Sequence, residues 1–321
     1  MPLLETTLSA ALPKGARAAA SLQVPIIVNA AAGAGRAGEG LETLEEIVRA
    51  AGLDARLVTF EPGDDLQAIA AEAAAGKPAA VVAAGGDGTI NAVASALVGT
   101  GVPLGVLPLG TLNHFAKDLG IPLDTAEAAG TIAAGRVAQV DVGEVNGRIF
   151  LNNSSLGLYP SIVRHRDSQQ RRLGRGKWPA LAWATWTILS RRPFLRVRLC
   201  CDDAKTEYKA SFVFIGNNDY IMEGFNIGAR ERLDRGRLSV YMSQRRSRHR
   251  LLMLAFRALI GRLYQSEDFE ALTAQSVTIE TRHGHLHVAT DGEVTLMETP
   301  LEYSIRPGAL RVLVPEPAEA A

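Results

Sequence analysis

Between Gln23 and Pro108 the chain alternates short apolar runs with segments of helical period. The runs Gln23–Asn29, Asp54–Phe60, 79–84 and Leu104–Pro108 read as strands. Helices are expected at about 38–51, at 66–75, and from the residues after 85 to about Leu97. Leu41, Leu44, Ile47 and Val48 share one face of the first helix. Parallel strands need a crossover of this length, so the alternation predicts a parallel sheet with helices on its faces. Ligands of such sheets bind beyond the carboxyl ends of the strands. The loops 29–36, 59–63, 85–91 and 108–114 all fall at those ends.

One of the loops carries its own chemistry. Val81-Val82-Ala83-Ala84 runs into Gly85-Gly86-Asp87-Gly88-Thr89-Ile90-Asn91, a strand, a glycine turn and a helix start. Glycine lets backbone N–H groups approach an anion, and a helix N-terminus adds partial positive charge. Asp87 repels phosphate unless it binds the metal of a metal–nucleotide complex or orients the loop. The spacing is neither the dinucleotide fingerprint nor a P-loop. A tight strand-to-helix turn capped by Asp87 is the plain alternative.

After about Arg136 the pattern changes. Gln139–Glu144, Arg148–Ser154, Phe194–Cys201, Ser211–Asn217, Arg237–Met242, Ser276–Thr281, Leu286–Thr290 and Leu301–Ile305 read as strands with turns between them. This predicts a largely antiparallel, sandwich-like second domain, interrupted by helices at about 171–190 and 248–263. The chain of 321 residues is long enough for two domains. The expected division is a flexible extension at 1–22, an α/β domain at 23–137 completed by 306–316, a β-rich domain at 138–305 and a disordered tail at 317–321.

Two further segments suit a phosphotransfer site. Pro108-Leu109-Gly110-Thr111-Leu112-Asn113-His114-Phe115-Ala116 offers a close-approach glycine and short hydrogen-bonding side chains ahead of a helix. Asp291-Gly292-Glu293 sets two carboxylates across a turn glycine. A general base needs a carboxylate within hydrogen-bond reach of a hydroxyl. Asp-Gly is also a common hairpin turn.

Taken in order, Val28-Asn29, Val58-Thr59, Gly85–Asn91, Pro108–Ala116, Asn152–Gly157, Ile215-Gly216-Asn217, Asp291-Gly292-Glu293 and Leu310–Pro315 resemble the diacylglycerol kinase catalytic-domain family, in particular its soluble bacterial lipid kinases. The resemblance runs from about residue 24 to 315. It implies an α/β nucleotide domain, a β-rich domain and an active site in the cleft between them. It also implies transfer of the ATP γ-phosphoryl group to the hydroxyl of diacylglycerol or a similar lipid alcohol, with Mg²⁺. Carried over, Asn29, Thr59, Gly85, Gly86, Asp87, Gly88, Thr89, Ile90, Asn91, Gly110, Thr111 and Asn113 match nucleotide positions. Glu293 matches the proton acceptor, Asp291 its close partner, and Asp87 is the third residue expected to act in the chemistry. A departure concerns the structural Mg²⁺ loop of the family, which places an acid directly before a glycine. Here Arg235 precedes Gly236, and Asp234 sits one position earlier. A guanidinium cannot ligate Mg²⁺, so no structural metal is expected, with Asp234 as the only weak candidate.

The charge is uneven. The whole chain balances 34 Lys+Arg against 34 Asp+Glu, but residues 161–262 carry 22 against 8. Trp178, Trp183 and Trp186 lie in the same stretch among arginines. Tryptophan favours membrane interfaces and cations favour anionic headgroups, so peripheral contact with an anionic membrane is expected. The same apolar stripes also suit packing on the β domain. No apolar run is long enough to span a bilayer, and no signal peptide is evident. Cys200 and Cys201 are adjacent and unsuited to pairing, which suggests a reducing cytoplasm, extending to the inner face of the cell membrane. His283, His285 and His287 share a strand face but lack visible co-ligands. The partner is expected to be lipid and not nucleic acid, with self-association left open. A kinase for a soluble substrate, of the NAD kinase type, and a non-catalytic lipid-binding module are the alternatives.

Overall fold

The computed structural model describes residues 23–30, 40–157, 195–201, 204–223, 226–230, 232–244 and 269–316. The extension 1–22, the loop 31–39 after Asn29, both expected helices of the second domain with their three tryptophans, and the tail 317–321 lie outside the described residues. The chain divides into two compact units. The first holds residues up to Val142, Arg232–Asp234 and Pro307 onward; the second holds Gly143–Glu231 and Arg235–Arg306.

In the first unit, strands β1 (Val24–Asn29), β2 (Ala55–Phe60), β3 (Val81–Gly85) and β4 (Leu104–Pro108) alternate with helices α1 (Leu41–Ala50), α2 (Leu66–Ala75) and α3 (Asp87–Leu97). Helices α4 (His114–Asp118) and α5 (Thr125–Ala134) follow β4. The strands are parallel in the order β2-β1-β3-β4. Val312, near the end of the last strand, lies parallel beside Leu104. Ile26, Ile27, Val28, Val81–Ala84, Leu104, Val106 and Leu107 are all buried. Such unbroken apolar runs are typical of strands covered on both faces. The apolar faces of α1 (Leu44, Val48) and α3 (Ile90, Val93, Ala94, Leu97) are buried as well. The order matters for function. The chain steps from β1 outward to β2, then returns past β1 to β3, so the winding reverses between β1 and β3. Ligands of open α/β sheets bind at that reversal, where Asn29 and the glycine turn after β3 lie.

Helix α5 has no clear apolar stripe, so hydrophobic period does not reveal it. Its ends do the work: Asp124 accepts from Ala126 N and Glu127 N at 3.0 Å each, and Gly135 closes it at φ 71°. These are ordinary N- and C-capping arrangements. Strand β5 (Val137–Val145) then carries the chain onward. The first unit runs to Val142, and within it Asp141 ties together two distant segments. Its N–H donates to Leu233 O at 2.7 Å, and its carboxylate accepts from Gly308 N at 2.8 Å.

The second unit is antiparallel. It comprises the end of β5, then β6 (Arg148–Phe150), β7 (Asn153–Gly157), β8 (Leu195–Cys201), β9 (Ala204–Asn217), β10 (Tyr220–Glu223), β11 (Asn226–Arg230), β12 (Leu238–Gln244), β13 (Phe269–Ala274), β14 (Ser276–Glu280), β15 (His285–Thr290), β16 (Glu293–Glu298) and the first part of β17 (Leu301–Leu313). Neighbours run β16-β15-β7-β9-β8-β14-β17, with β12 on β9 and β13 on β12. The core contains Phe150, Leu156, Ile215, Val240, Val277 and Tyr303. Phe150 meets Tyr303 edge-on at 6.3 Å, and the buried Tyr303 hydroxyl shares a hydrogen bond with Ser154 Oγ at 3.0 Å. The stretch expected as one strand at Arg148–Ser154 is two strands, β6 and β7, with Leu151-Asn152 turned out of register. The strand expected at Leu301–Ile305 is longer, running as β17 from Leu301 through Pro307 to Leu313. The sequence pattern does not mark strands β10, β11, β13 and β16.

Candidate active site

The glycine turn opens α3 directly. Gly86 occupies the cap position in extended backbone, and Asp87 is the first helical residue, so Asp87 is not the cap. The first intrahelical bond runs from Ile90 N to Gly86 O at 3.0 Å. The N–H groups of Asp87, Gly88 and Thr89 therefore have no acceptor within the helix. They form the positive end of an 11-residue helix. Gly88 is exposed there, and Thr89 and Asn91 are half-buried. The Ile90 side chain is in the core, and its N–H donates to Gly86 O.

The second loop lies against the first. Leu109 N donates to Gly85 O at 3.0 Å. A Cβ built on Gly110 would stand 2.5 Å from Gly86 Cα and 2.6 Å from Asn113 Oδ1. Only glycine permits that approach, so Gly86 and Gly110 make a backbone-lined cradle. Asn113 holds the second loop in a left-handed conformation, φ 50°. Its amide donates to Gly110 O at 2.9 Å and Pro108 O at 3.3 Å. Thr111 is exposed beside the cradle, as is Leu112. At the ends of β1 and β2, Asn29 is half-buried and Thr59 exposed. Two oxygens in the cradle are unusual. Asp87 Oδ1 and Asn113 Oδ1 are buried with no hydrogen-bond partner among the described residues. Buried polar atoms are nearly always satisfied, so these two await a donor or a cation. In charge, the helix-end amides suit a phosphate oxygen and the Asp87 carboxylate suits a cation.

In the second unit, Asp291 and Gly292 form a two-residue hairpin turn between β15 and β16, both left-handed at φ 47° and 88°. The turn reading of Asp-Gly is therefore correct, and the acids sit on it. The Asp291 carboxylate folds back onto the loop before β7. Its Oδ2 accepts from Leu151 N at 2.7 Å, and its Oδ1 accepts from Asn152 N at 2.8 Å and Asn153 N at 3.0 Å. Burial raises its pKa above the usual carboxylate value, while the three N–H groups and the Arg230 charge pull it back. With its oxygens bound in this way, Asp291 anchors the turn. Glu293 is 64% exposed, and Arg148 Nη2 donates to its Oε2 at 2.6 Å. Arg148 also reaches Thr295 Oγ1 at 2.8 Å. The sequence pattern marks neither Arg148 nor Arg230. Isolated arginines in short strands carry no pattern.

The loop at Arg235 does not suit a divalent ion. Arg232 grips Asp234 through two contacts of 2.8 Å. Asp219 is bound by Arg237 and by Ser239 Oγ at 2.8 Å, and Arg235 Nε stands 3.9 Å away. Burial pushes Asp219 up, but the hydrogen bonds from Arg237 and Ser239 and the charges of Arg237 and Arg235 carry it below its ordinary value. Among the described residues no group of three or more His, Cys, Asp or Glu could hold a metal. His285 faces Glu298 at 3.7 Å on an exposed surface. No helix among the described residues is long and apolar enough to cross a membrane.

Comparison with known proteins agrees across the chain. Residues 23–145 match the Diacylglycerol kinase catalytic domain, and residues 156–314 match the YegS C-terminal NAD kinase beta sandwich-like domain. A Pseudomonas aeruginosa protein named "Probable lipid kinase YegS-like" is 33% identical over 80% of this chain and 83% of its own. One of the same name from Chromohalobacter salexigens is 30% identical over 81% and 83%. A crystal structure described as a diacylglycerol kinase of Bacillus anthracis str. Sterne has a TM-score of 0.65 at 25% identity, covering 92% of this chain and 97% of the other.

Proposed function

This chain belongs to the diacylglycerol kinase catalytic-domain family of lipid kinases, and from that premise we propose that it transfers the γ-phosphoryl group of ATP to the hydroxyl of diacylglycerol or a similar lipid alcohol. The cradle at Gly86 and Gly110 carries this reading: helix-end amides with no acceptor in the helix, no space for a side chain, and a buried Asp87 oxygen without a donor. Phosphoryl transfer depends mainly on positioning and on spreading the charge of the transferred group. The amides of Asp87, Gly88 and Thr89 hold phosphate oxygens. Asp87 would hold a Mg²⁺, which when bound would offset charge on the phosphates. Asn113 keeps the second loop closed on the first, and Asn29, Thr59 and Thr111 line the rest of the nucleotide. Glu293 exchanges its hold on Arg148 for the lipid hydroxyl and accepts its proton, while Asp291 keeps the turn in place. The basic stretch 161–262 draws the protein to an anionic membrane surface, where the lipid is met.

The test is label transfer. Purified protein is incubated with Mg²⁺, γ-labelled ATP, vesicles containing diacylglycerol and anionic phospholipid, and NAD. Label in the organic extract supports the proposal. Label only in NADP favours the soluble-substrate kinase, and label in neither favours a non-catalytic lipid-binding module.

A further inference from the structure

Arg230 is an arginine with 3% of its surface exposed, at the end of β11. Its Nη1 donates to Leu151 O at 2.6 Å and Asn217 O at 3.1 Å, and its Nη2 donates to Asn152 Oδ1 at 2.7 Å. Its guanidinium lies 5.3 Å from the Tyr220 ring centroid. Neighbouring groups bind the same turn. Asn217 Nδ2 donates to Leu151 O at 2.8 Å, and Tyr220 Oη donates to Asn152 O at 2.9 Å. Gly216 permits this, since a Cβ there would stand 2.7 Å from the Tyr220 ring.

The carbonyls of Leu151 and Asn152 are thus held on one side, and the N–H groups of Leu151, Asn152 and Asn153 hold Asp291 on the other. One peptide group does both. The Leu151 oxygen receives Arg230, and the Asn152 N–H of the same amide donates to Asp291. A buried cation and a buried carboxylate are therefore linked through a peptide dipole aligned with both. Each charge offsets the burial of the other, and aligned hydrogen bonds strengthen one another.

We propose that Arg230 is a positioning residue for the phosphoryl transfer: by gripping the carbonyl side of Leu151-Asn152 it keeps the N–H side on Asp291, and so fixes the turn that carries Glu293. The catalytic part of this rests on the lipid-kinase reading above. Among the described residues, Arg230 on β11 is a cation that acts on Asp291, and on the acid's own hairpin Glu293 is bound to Arg148 of β6. Removing Arg230 takes away a cation that lowers the pKa of this buried carboxylate. Asp291 then takes up a proton at higher pH, or the turn lets go.

Two variants and two readouts test this. Arg230→Met removes charge and fork; Arg230→Lys keeps the charge but replaces the planar two-nitrogen fork with a single ammonium. In Arg230→Met, amide hydrogen exchange at Asn152 and Asn153 should accelerate at least about tenfold, while the first unit keeps its protection. Its kcat should fall about 10–100-fold with the ATP KM unchanged, as expected for a misplaced acid, and the acidic limb of its kcat profile should move to higher pH. Arg230→Lys should show intermediate exchange and an unshifted limb, and it serves alone should Arg230→Met not fold. Unchanged exchange at Asn152 and Asn153 in both variants overturns the hold, and unchanged kcat beside an active wild type overturns the positioning role. Wild-type protein that labels no lipid defeats the kinase reading instead, and the exchange data still decide whether Arg230 holds the turn.

Discussion

Substituting Gly110 by alanine perturbs the cradle at a single atom. The new Cβ would lie 2.5 Å from Gly86 Cα, where ordinary contact begins at about 3.4 Å, so the two loops must part by roughly 0.9 Å. Both neighbours in the way are constrained. One is backbone, and the other is the Asn113 side chain, whose amide is fixed by two hydrogen bonds. Overpacking of this kind costs about 1–3 kcal/mol, well inside the roughly 5–15 kcal/mol that keeps a domain folded. The displacement falls on amides assigned to the phosphates, and a misplacement of about 1 Å costs on the order of 10²-fold in rate. The expected result is a folded Gly110→Ala protein whose kcat/KM for ATP falls about 100-fold at saturating lipid. Gly130→Ala is the matched control. Gly130 lies in α5 with nothing within 4 Å of a built Cβ. That change should stabilise by about 0.5–1 kcal/mol and leave turnover alone. Thermal melts and steady-state kinetics on both variants decide the matter. Wild-type kinetics in Gly110→Ala would refute the assignment of the cradle to nucleotide.

Glu293→Gln should lower kcat by about 10²–10⁴-fold, the usual contribution of a general base, with the melting temperature unchanged because the residue is exposed; kinetics at wild-type level would remove Glu293 from the reaction. Asp219 has a folded pKa below its unfolded value, so its contribution to stability is complete above the unfolded pKa and disappears as pH falls through the folded one. Asp219→Asn should therefore lower stability at neutral pH and flatten its decline in acid, and denaturant melts giving the same acid slope as wild type would contradict the pairing with Arg237. Sedimentation with anionic vesicles should show binding that weakens between low and high salt, since exposed charges are screened over about 8–10 Å; binding indifferent to salt would exclude the basic stretch as the contact.

Much of the first unit is legible because parallel strands buried on both faces leave apolar runs such as Val81–Ala84, and glycine marks where the backbone must approach something. The cradle partner Gly110 is legible for the same reason. What the sequence hides is long-range polar contact. Nothing local says that the Asp291 carboxylate turns back to three amides at 151–153, or that Arg230 waits on the far side of the same peptide. The sequence therefore shows two acids at the turn but not that both oxygens of Asp291 are bound there. Ile90 follows the glycines in sequence but falls on the buried side of α3, because helical period sends it inward. Within the first unit Asp141 reaches Leu233 and Gly308, which no composition change marks. Helix α5 is set by caps and not by a stripe, so the apolar pattern passes over it.

Backbone amide shifts on isotopically labelled protein, recorded with and without Mg²⁺ and a non-hydrolysable ATP analogue, test the nucleotide assignment most directly. The expected result is large, saturable change at residues 86–89 and 109–113, lost in Gly110→Ala. Saturable binding that leaves those amides untouched would contradict it.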